Sequence, residues 1–132
     1  MLRKFIRLAV LLLACMTCVS FAAAQTPQQT GAKKLNRLAR NGQAIQEGRQ
    51  LYMQNNCAGC HGAGGGGGMA PSIIDDDWKF GSDDETLFKL IKGQLPQQTM
   101  PRVYSAMPEQ DVWKIIAFIR SQYAGDPSKV NW

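Results

Sequence analysis

The residues able to do chemistry stand together at Cys57-Ala58-Gly59-Cys60-His61. Two thiols separated by two residues, with an imidazole directly after, form the attachment signature of a c-type haem. Each thiol can add to one vinyl group of a porphyrin, giving two thioethers, and the adjacent histidine then sets an imidazole nitrogen under the iron. Such a tether lets a small domain hold a cofactor otherwise too large for it. Other chemistries fit less well. A thioredoxin-like dithiol wants a strand before it and a βαβ unit around it, whereas a helical pattern precedes Cys57. A zinc site needs about four ligands, and this segment offers three. A Cys57–Cys60 disulfide leaves His61 unexplained, and a merely buried histidine leaves the cysteines unexplained.

His61 is the only histidine among 132 residues, so bis-histidine ligation is closed. Methionine is then the natural sixth ligand. After residue 24 the candidates are Met53, Met69, Met100 and Met107. Met53 lies on a helix ahead of the motif, and Met69 follows His61 too closely, in a loop that must wrap the proximal side. Met107 stands where an apolar residue packs over the start of the last helix. Met100 lies in a long loop between two helices, followed by Pro101, and that loop can cross the distal face. Core filling, the ordinary role of an isolated methionine, suits Met53 and Met107 but suits Met100 poorly among Pro96, Gln97, Gln98 and Thr99.

Three helices are expected to position these groups. Ala44, Ile45, Gly48, Leu51 and Tyr52 give a 3–4 spacing over 43–56. Gly48 costs about 1 kcal/mol in a helix interior relative to alanine, and a glycine there permits close approach of another helix. Residues 62–81 are glycine-rich, then acidic, and read as loop. Ser82 and Glu85 have capping-box spacing ahead of Leu87, Phe88, Leu90 and Ile91, which predicts a helix over 83–92 closed by Gly93. Residues 93–107 form a second loop. Pro108 suits a first turn, Glu109 and Asp111 favour its positive end, and Val112, Trp113, Ile115, Ile116 and Ile119 carry a helix to about Gln122. No hairpin signal appears, so the expected fold is all-α.

The chain starts with a basic stretch, MLRKFIR, followed by an apolar run over 8–24 that ends Ala22-Ala23-Ala24 before Gln25. These are the three features of a secretory signal peptide, which places the mature protein in the periplasm, starting at Gln25. An uncleaved anchor needs about 20 apolar residues, and the run is just long enough. A lipid-attachment box at Leu12-Leu13-Ala14-Cys15 is a poorer match, because the apolar run continues beyond Cys15. Removing Arg3, Lys4 and Arg7 takes the formal charge from +5 to +2, a balance that does not argue for nucleic acid. Residues 25–42 are polar, with Lys33, Lys34, Arg37 and Arg40, and read as a flexible, solvated lead-in, with a docking arm for an acidic partner as the second reading. With 45% hydrophobic and 19% charged residues, the remainder can build one core.

Residues 45–122 closely resemble the class I cytochromes c of the small bacterial monohaem kind. The resemblance rests on Gly48, Leu51 and Tyr52 of the lead-in helix, CAGCH at 57–61, Pro71, the Met100-Pro101 pair and the last helix DVWKIIAFIRS at 111–121. It implies one covalently attached haem c in a cytochrome c domain over 43–124, with a short tail at 125–132. It implies His61 and Met100 on the iron, and a Pro71 carbonyl that accepts the other imidazole proton and fixes the ring. It also implies Phe118 crossing the first helix at Gly48 and Tyr52. The stretch MAPSIIDDDWKFG at 69–81 looks like cytochromes that accompany respiratory oxidases or quinoprotein alcohol dehydrogenases. There Trp78 is a candidate donor to a haem propionate, with an anchoring core tryptophan as the plain alternative. Asp75, Asp76 and Asp77 read as solvated turn residues rather than a calcium site. Where many relatives carry Gly-Pro this chain has Ala70-Pro71, and its glycine run at 64–68 is longer than a minimal loop needs.

The function implied is an electron carrier rather than an enzyme. Single electrons would pass by Fe(III)/Fe(II) cycling between a periplasmic dehydrogenase or respiratory complex and a membrane oxidase. The protein would be a monomer when free, with transient association with a membrane complex. Gly62–Gly68, which lack bulky side chains, would let a partner approach the haem edge. The alternative is a small haem enzyme or gas-binding protein with a labile distal methionine.

Overall fold

The computed structural model describes residues 36–129, and these contain helices and loops but no strand. The leader and residues 25–35, with the expectations attached to them, lie outside the described residues. Among the described residues no helix is long and apolar enough to cross a membrane.

Helix α1 spans Gly42–Gln54. Its cap is Asn41, whose side chain accepts from the Ala44 amide at 3.0 Å, satisfying one of the free donors of the first turn. Ala44, Gly48 and Tyr52 are buried at intervals of four, one stripe on one face. After a one-turn helix, α2 (Cys57–His61), come α3 (Asp84–Ile91), a 3₁₀ turn (Arg102–Tyr104) and α4 (Glu109–Gln122). The core lies where α4 crosses α1, and Val112, Ile115, Ile116 and Ala117 of α4 are at most 1% exposed.

Gly48 sets the closeness of that crossing. A Cβ built there would overlap the carbonyl oxygen of Lys114 and lie 3.2 Å from the Ile115 nitrogen. Backbone meets backbone at Gly48, and the aromatic expected against Gly48 and Tyr52 meets Tyr52. Phe118 packs on Tyr52, centroids 5.2 Å apart and planes inclined at 56°. Lys114 also pairs with Glu47 across the crossing at 2.8 Å.

The cap of α3 differs from the expected Ser82. Asp83 takes that place, its carboxylate accepting from the Thr86 amide at 3.0 Å and the Thr86 hydroxyl at 2.7 Å. Ser82 is buried instead, its carbonyl accepting from Arg120 Nη2. Glu85 turns outward to pair with Lys89 at 2.7 Å. Gly93, at φ 71°, follows the helix in the left-handed region that favours glycine.

Asp84 and Arg120 form an ion pair at 2.6 Å, with side chains 5% and 6% exposed. The second carboxylate oxygen of Asp84 accepts from the Asn36 amide at 2.9 Å, and the Asn36 side chain donates to the Trp113 carbonyl at 2.7 Å. Asn36 is 8% exposed. The packed structure therefore begins ahead of residue 43, and the expected lead-in is docked from Asn36 onward by partners 48 and 77 residues away. At the other end Asp76 is more than a solvated turn residue. It accepts from the Tyr123 hydroxyl at 2.5 Å and the Asp126 amide at 2.8 Å, which ties the start of the C-terminal tail to the loop before α3. The Tyr123 hydroxyl bond, ahead of the Asp126 amide and the nearby Lys129, holds the Asp76 carboxyl below its ordinary range.

Candidate haem site

Two features of the local sequence shape α2. Asn56 adopts a left-handed conformation, φ 58°, which turns the chain sharply between α1 and α2. Gly59 leaves room for the Asn56 side chain, whose amide oxygen would lie 2.7 Å from a Cβ there. On the resulting turn Cys57 and Cys60, three apart, share a face. Both line one cleft and neither is in a disulfide. Burial pushes the Cys57 thiol up to about 11, the opposite of the lowered value a dithiol redox catalyst needs.

The glycine run is built back onto this turn. The Gly67 amide donates to the His61 carbonyl at 2.8 Å, the Ala70 amide to the Cys60 carbonyl at 3.0 Å, and the Ile73 amide to the Gly65 carbonyl at 2.8 Å. Gly62, Gly65 and Gly67 have φ of 80°, 83° and 98°. A Cβ on Gly65 would press on Ile73 and Ile74 at 2.9 Å. The run is thus part of a folded loop whose conformation demands glycine at 65 and 67, and at Gly62 just before it. It delivers Pro71 to His61, whose Nδ1 lies 2.9 Å from the Pro71 carbonyl oxygen.

The cleft has a volume of about 480 Å³, within the range of small-molecule and cofactor sites. Cys57, Cys60, His61, Pro71 and Met100 all line it, with Leu87, Leu90, Ile91, Ile115 and Ile119 among its apolar walls. Of the other methionines, Met107 and Met69 also reach the cleft, Met69 while 85% exposed, whereas Met53 does not line it. Trp78 lines the cleft too, but its indole N–H donates to the Asp75 carbonyl at 2.7 Å. Its single donor is spent inside the protein. The ring forms part of the wall, with the Arg120 guanidinium 5.6 Å from its centroid.

Sequence reasoning missed two residues that hold the segment carrying Met100. Gln98 accepts from the Leu95 amide at 3.1 Å and donates to the carbonyls of Leu90 at 3.0 Å and Met100 at 3.2 Å. Tyr104 donates to the Asn55 carbonyl at 2.9 Å. Tyr52 does the matching work on the attachment side, donating to the Gly62 carbonyl at 2.8 Å. No spacing rule marks these contacts. The only hint is a polar or aromatic residue inside the loop that carries the Met-Pro pair. Two thiols on one face of a turn, an oriented imidazole and a thioether around an apolar cleft form a donor set suited to a covalently attached haem.

The family described as cytochrome c oxidase, cbb3-type, subunit III matches residues 43–119. The chain belongs to that family. The subunit CcoP of the cbb3-type cytochrome c oxidase from Rubrivivax gelatinosus is 31% identical over 85 residues, 64% of this chain and 28% of the relative. Among solved structures, cytochrome cL from Methylophaga aminisulfidivorans superposes with a TM-score of 0.64 at 30% identity, covering 72% of this chain and 63% of that one. Cytochrome cL from Hyphomicrobium denitrificans gives 0.58 at 27% identity, covering 67% and 53%. The fold is thus that of a class I c-type cytochrome. Its cofactor is covalently bound haem c, with Cys57 and Cys60 at the attachment spacing. The chain spans under a third of the length of the CcoP relative.

Proposed function

We propose that the chain is a periplasmic monohaem electron carrier, or the carrier module of a redox complex, and not itself an enzyme. One observation supports this above the others: a single apolar cleft is lined by Cys57, Cys60 and His61 and also by Met100. Bound haem c supplies a one-electron Fe(III)/Fe(II) couple there. Cys57 and Cys60 hold it as thioethers. His61 would ligate the iron through Nε2, because the Pro71 carbonyl oxygen, 2.9 Å from Nδ1, would hold Nδ1–H and so fix both tautomer and ring plane. Met100 would supply the sixth ligand, and its soft sulfur would favour the ferrous state. Coordination by these two side chains in both oxidation states would favour rapid electron transfer.

Kinship with oxidase subunits supports a partner within a respiratory redox complex. The donor we propose is a periplasmic dehydrogenase or respiratory complex and the acceptor a membrane oxidase. The leader at 1–24 would deliver the chain to the periplasm, and free protein would be a monomer. The alternative of a ligand-binding haem requires a distal methionine that leaves easily. The bonds of Gln98 and Tyr104 around Met100 favour the carrier.

The deciding experiment is near-infrared absorption of the ferric protein. The wild type should show the weak sulfur-to-iron band, Met100→Ala should lose it with a fall in midpoint potential, and Met107→Ala should keep it. A band that survives Met100→Ala and vanishes in Met107→Ala or Met69→Ala overturns the ligand assignment.

A further inference from the structure

The segment that carries Met100 runs from the end of α3 to the start of α4, and two kinds of hydrogen bond hold it. The first kind joins it to α3 and the residue after that helix. Gln98 binds the Leu90 and Met100 carbonyls, and the Lys92 ammonium donates to the Met107 carbonyl at 2.7 Å. These bonds can travel with the loop, because α3 is its own neighbour in the chain. The second kind is the Tyr104 bond. Tyr104 sits on the 3₁₀ turn directly after Pro101, its ring lines the cleft, and its hydroxyl reaches the Asn55 carbonyl 49 residues back. Asn55 caps α1 and stands two residues before Cys57. The bond therefore joins the methionine-bearing loop to the attachment segment.

We propose that Tyr104 is a latch on the distal loop: by bonding Asn55 it governs how readily the sixth position of the iron opens to an added ligand. Tyr104 is a positioning residue and does not touch the iron. This inference rests on the reading of Met100 as sixth ligand. For Met100 to swing off, the turn at 102–104 must lift from the cleft, and the Tyr104–Asn55 bond must break. An external ligand binds only the open fraction, so its apparent affinity is its intrinsic affinity scaled by that fraction. Removing the hydroxyl raises the open fraction by the equilibrium worth of one net hydrogen bond, about 2- to 10-fold. The closed state, still held by packing, stays dominant.

The test is titration of the ferric holoprotein with imidazole, followed by loss of the near-infrared band, in wild type and Tyr104→Phe. The variant keeps the ring that lines the cleft. It should show the full band without imidazole and bind imidazole about 2- to 10-fold more tightly. Asn41→Ala, which removes the cap of α1 far from the loop, is the control for general loosening. It should lower thermal stability and leave imidazole affinity unchanged. Equal affinity in wild type and Tyr104→Phe overturns the latch, as does an equal gain in Asn41→Ala. A wild type without the band overturns the Met100 reading, and the latch with it. A normal wild-type band with no effect of Tyr104→Phe overturns the latch alone.

Discussion

Gly48→Ala is the substitution that two physical arguments pull in opposite directions. In an isolated helix the change is favourable by about 1 kcal/mol. Here the new methyl would occupy the place of the Lys114 carbonyl oxygen, 2.5 Å from the carbonyl carbon and 3.2 Å from the Ile115 nitrogen. These are backbone atoms and cannot rotate away, so α1 and α4 must separate. Separation loosens Ile115 and Ile116, which are at most 1% exposed. Forced insertion into a packed core costs about 1–3 kcal/mol and sometimes more, and a backbone clash belongs at the upper end. The net loss should be about 2 kcal/mol, a fall in Tm of roughly 10 °C for a domain of this size. Thermal unfolding of the haem-loaded protein, followed by far-ultraviolet circular dichroism, measures it. Gly42→Ala is the control, since a Cβ there meets nothing within 4 Å, and its Tm should be unchanged or slightly raised. A Gly48→Ala variant as stable as wild type would refute the close crossing.

Other consequences follow from the same structure. Intact mass should exceed the polypeptide by one haem, and the adduct should survive acid–acetone extraction; release of free haem would contradict attachment at Cys57 and Cys60. Asp84→Ala leaves the Arg120 cation buried without its carboxylate and the Asn36 amide without its acceptor, so denaturant unfolding should show a loss of about 3–5 kcal/mol. Burial raises the Tyr52 phenol from 10.0 to about 12. The unfolded chain releases this proton first, so the Tyr52 contribution is complete below pH 10 and lost as pH rises towards 12. Between pH 10 and 12 wild type should lose on the order of 1 kcal/mol more than Tyr52→Phe, and parallel curves for the two proteins would contradict that.

What could be read from the sequence is what short-range pattern encodes. The helix expected over 43–56 is observed at Gly42–Gln54, that over 83–92 at Asp84–Ile91, and the last at Glu109–Gln122, because apolar spacing and end signals act locally. The attachment motif was equally plain, since five consecutive residues carry it. The helical turn of α2 was not, because CAGCH is too short to show periodicity and its geometry depends on the left-handed Asn56. Ser82 and Asp83 are both capping residue types, and folding uses Asp83 while the Ser82 carbonyl accepts from Arg120. Asn36 reads as tail until its partners Asp84 and Trp113 are brought next to it by folding. Trp78 shows the limit for side-chain roles: its type and place in the loop were suggestive, but the Asp75 carbonyl takes its one donor.

A closed, one-electron site is decided by the midpoint potential of the wild-type holoprotein, titrated under nitrogen and again under carbon monoxide. A site closed by His61 and Met100 should give a single reversible one-electron curve, the same under both gases. A midpoint raised under carbon monoxide would show ferrous iron open to an added ligand and contradict the carrier.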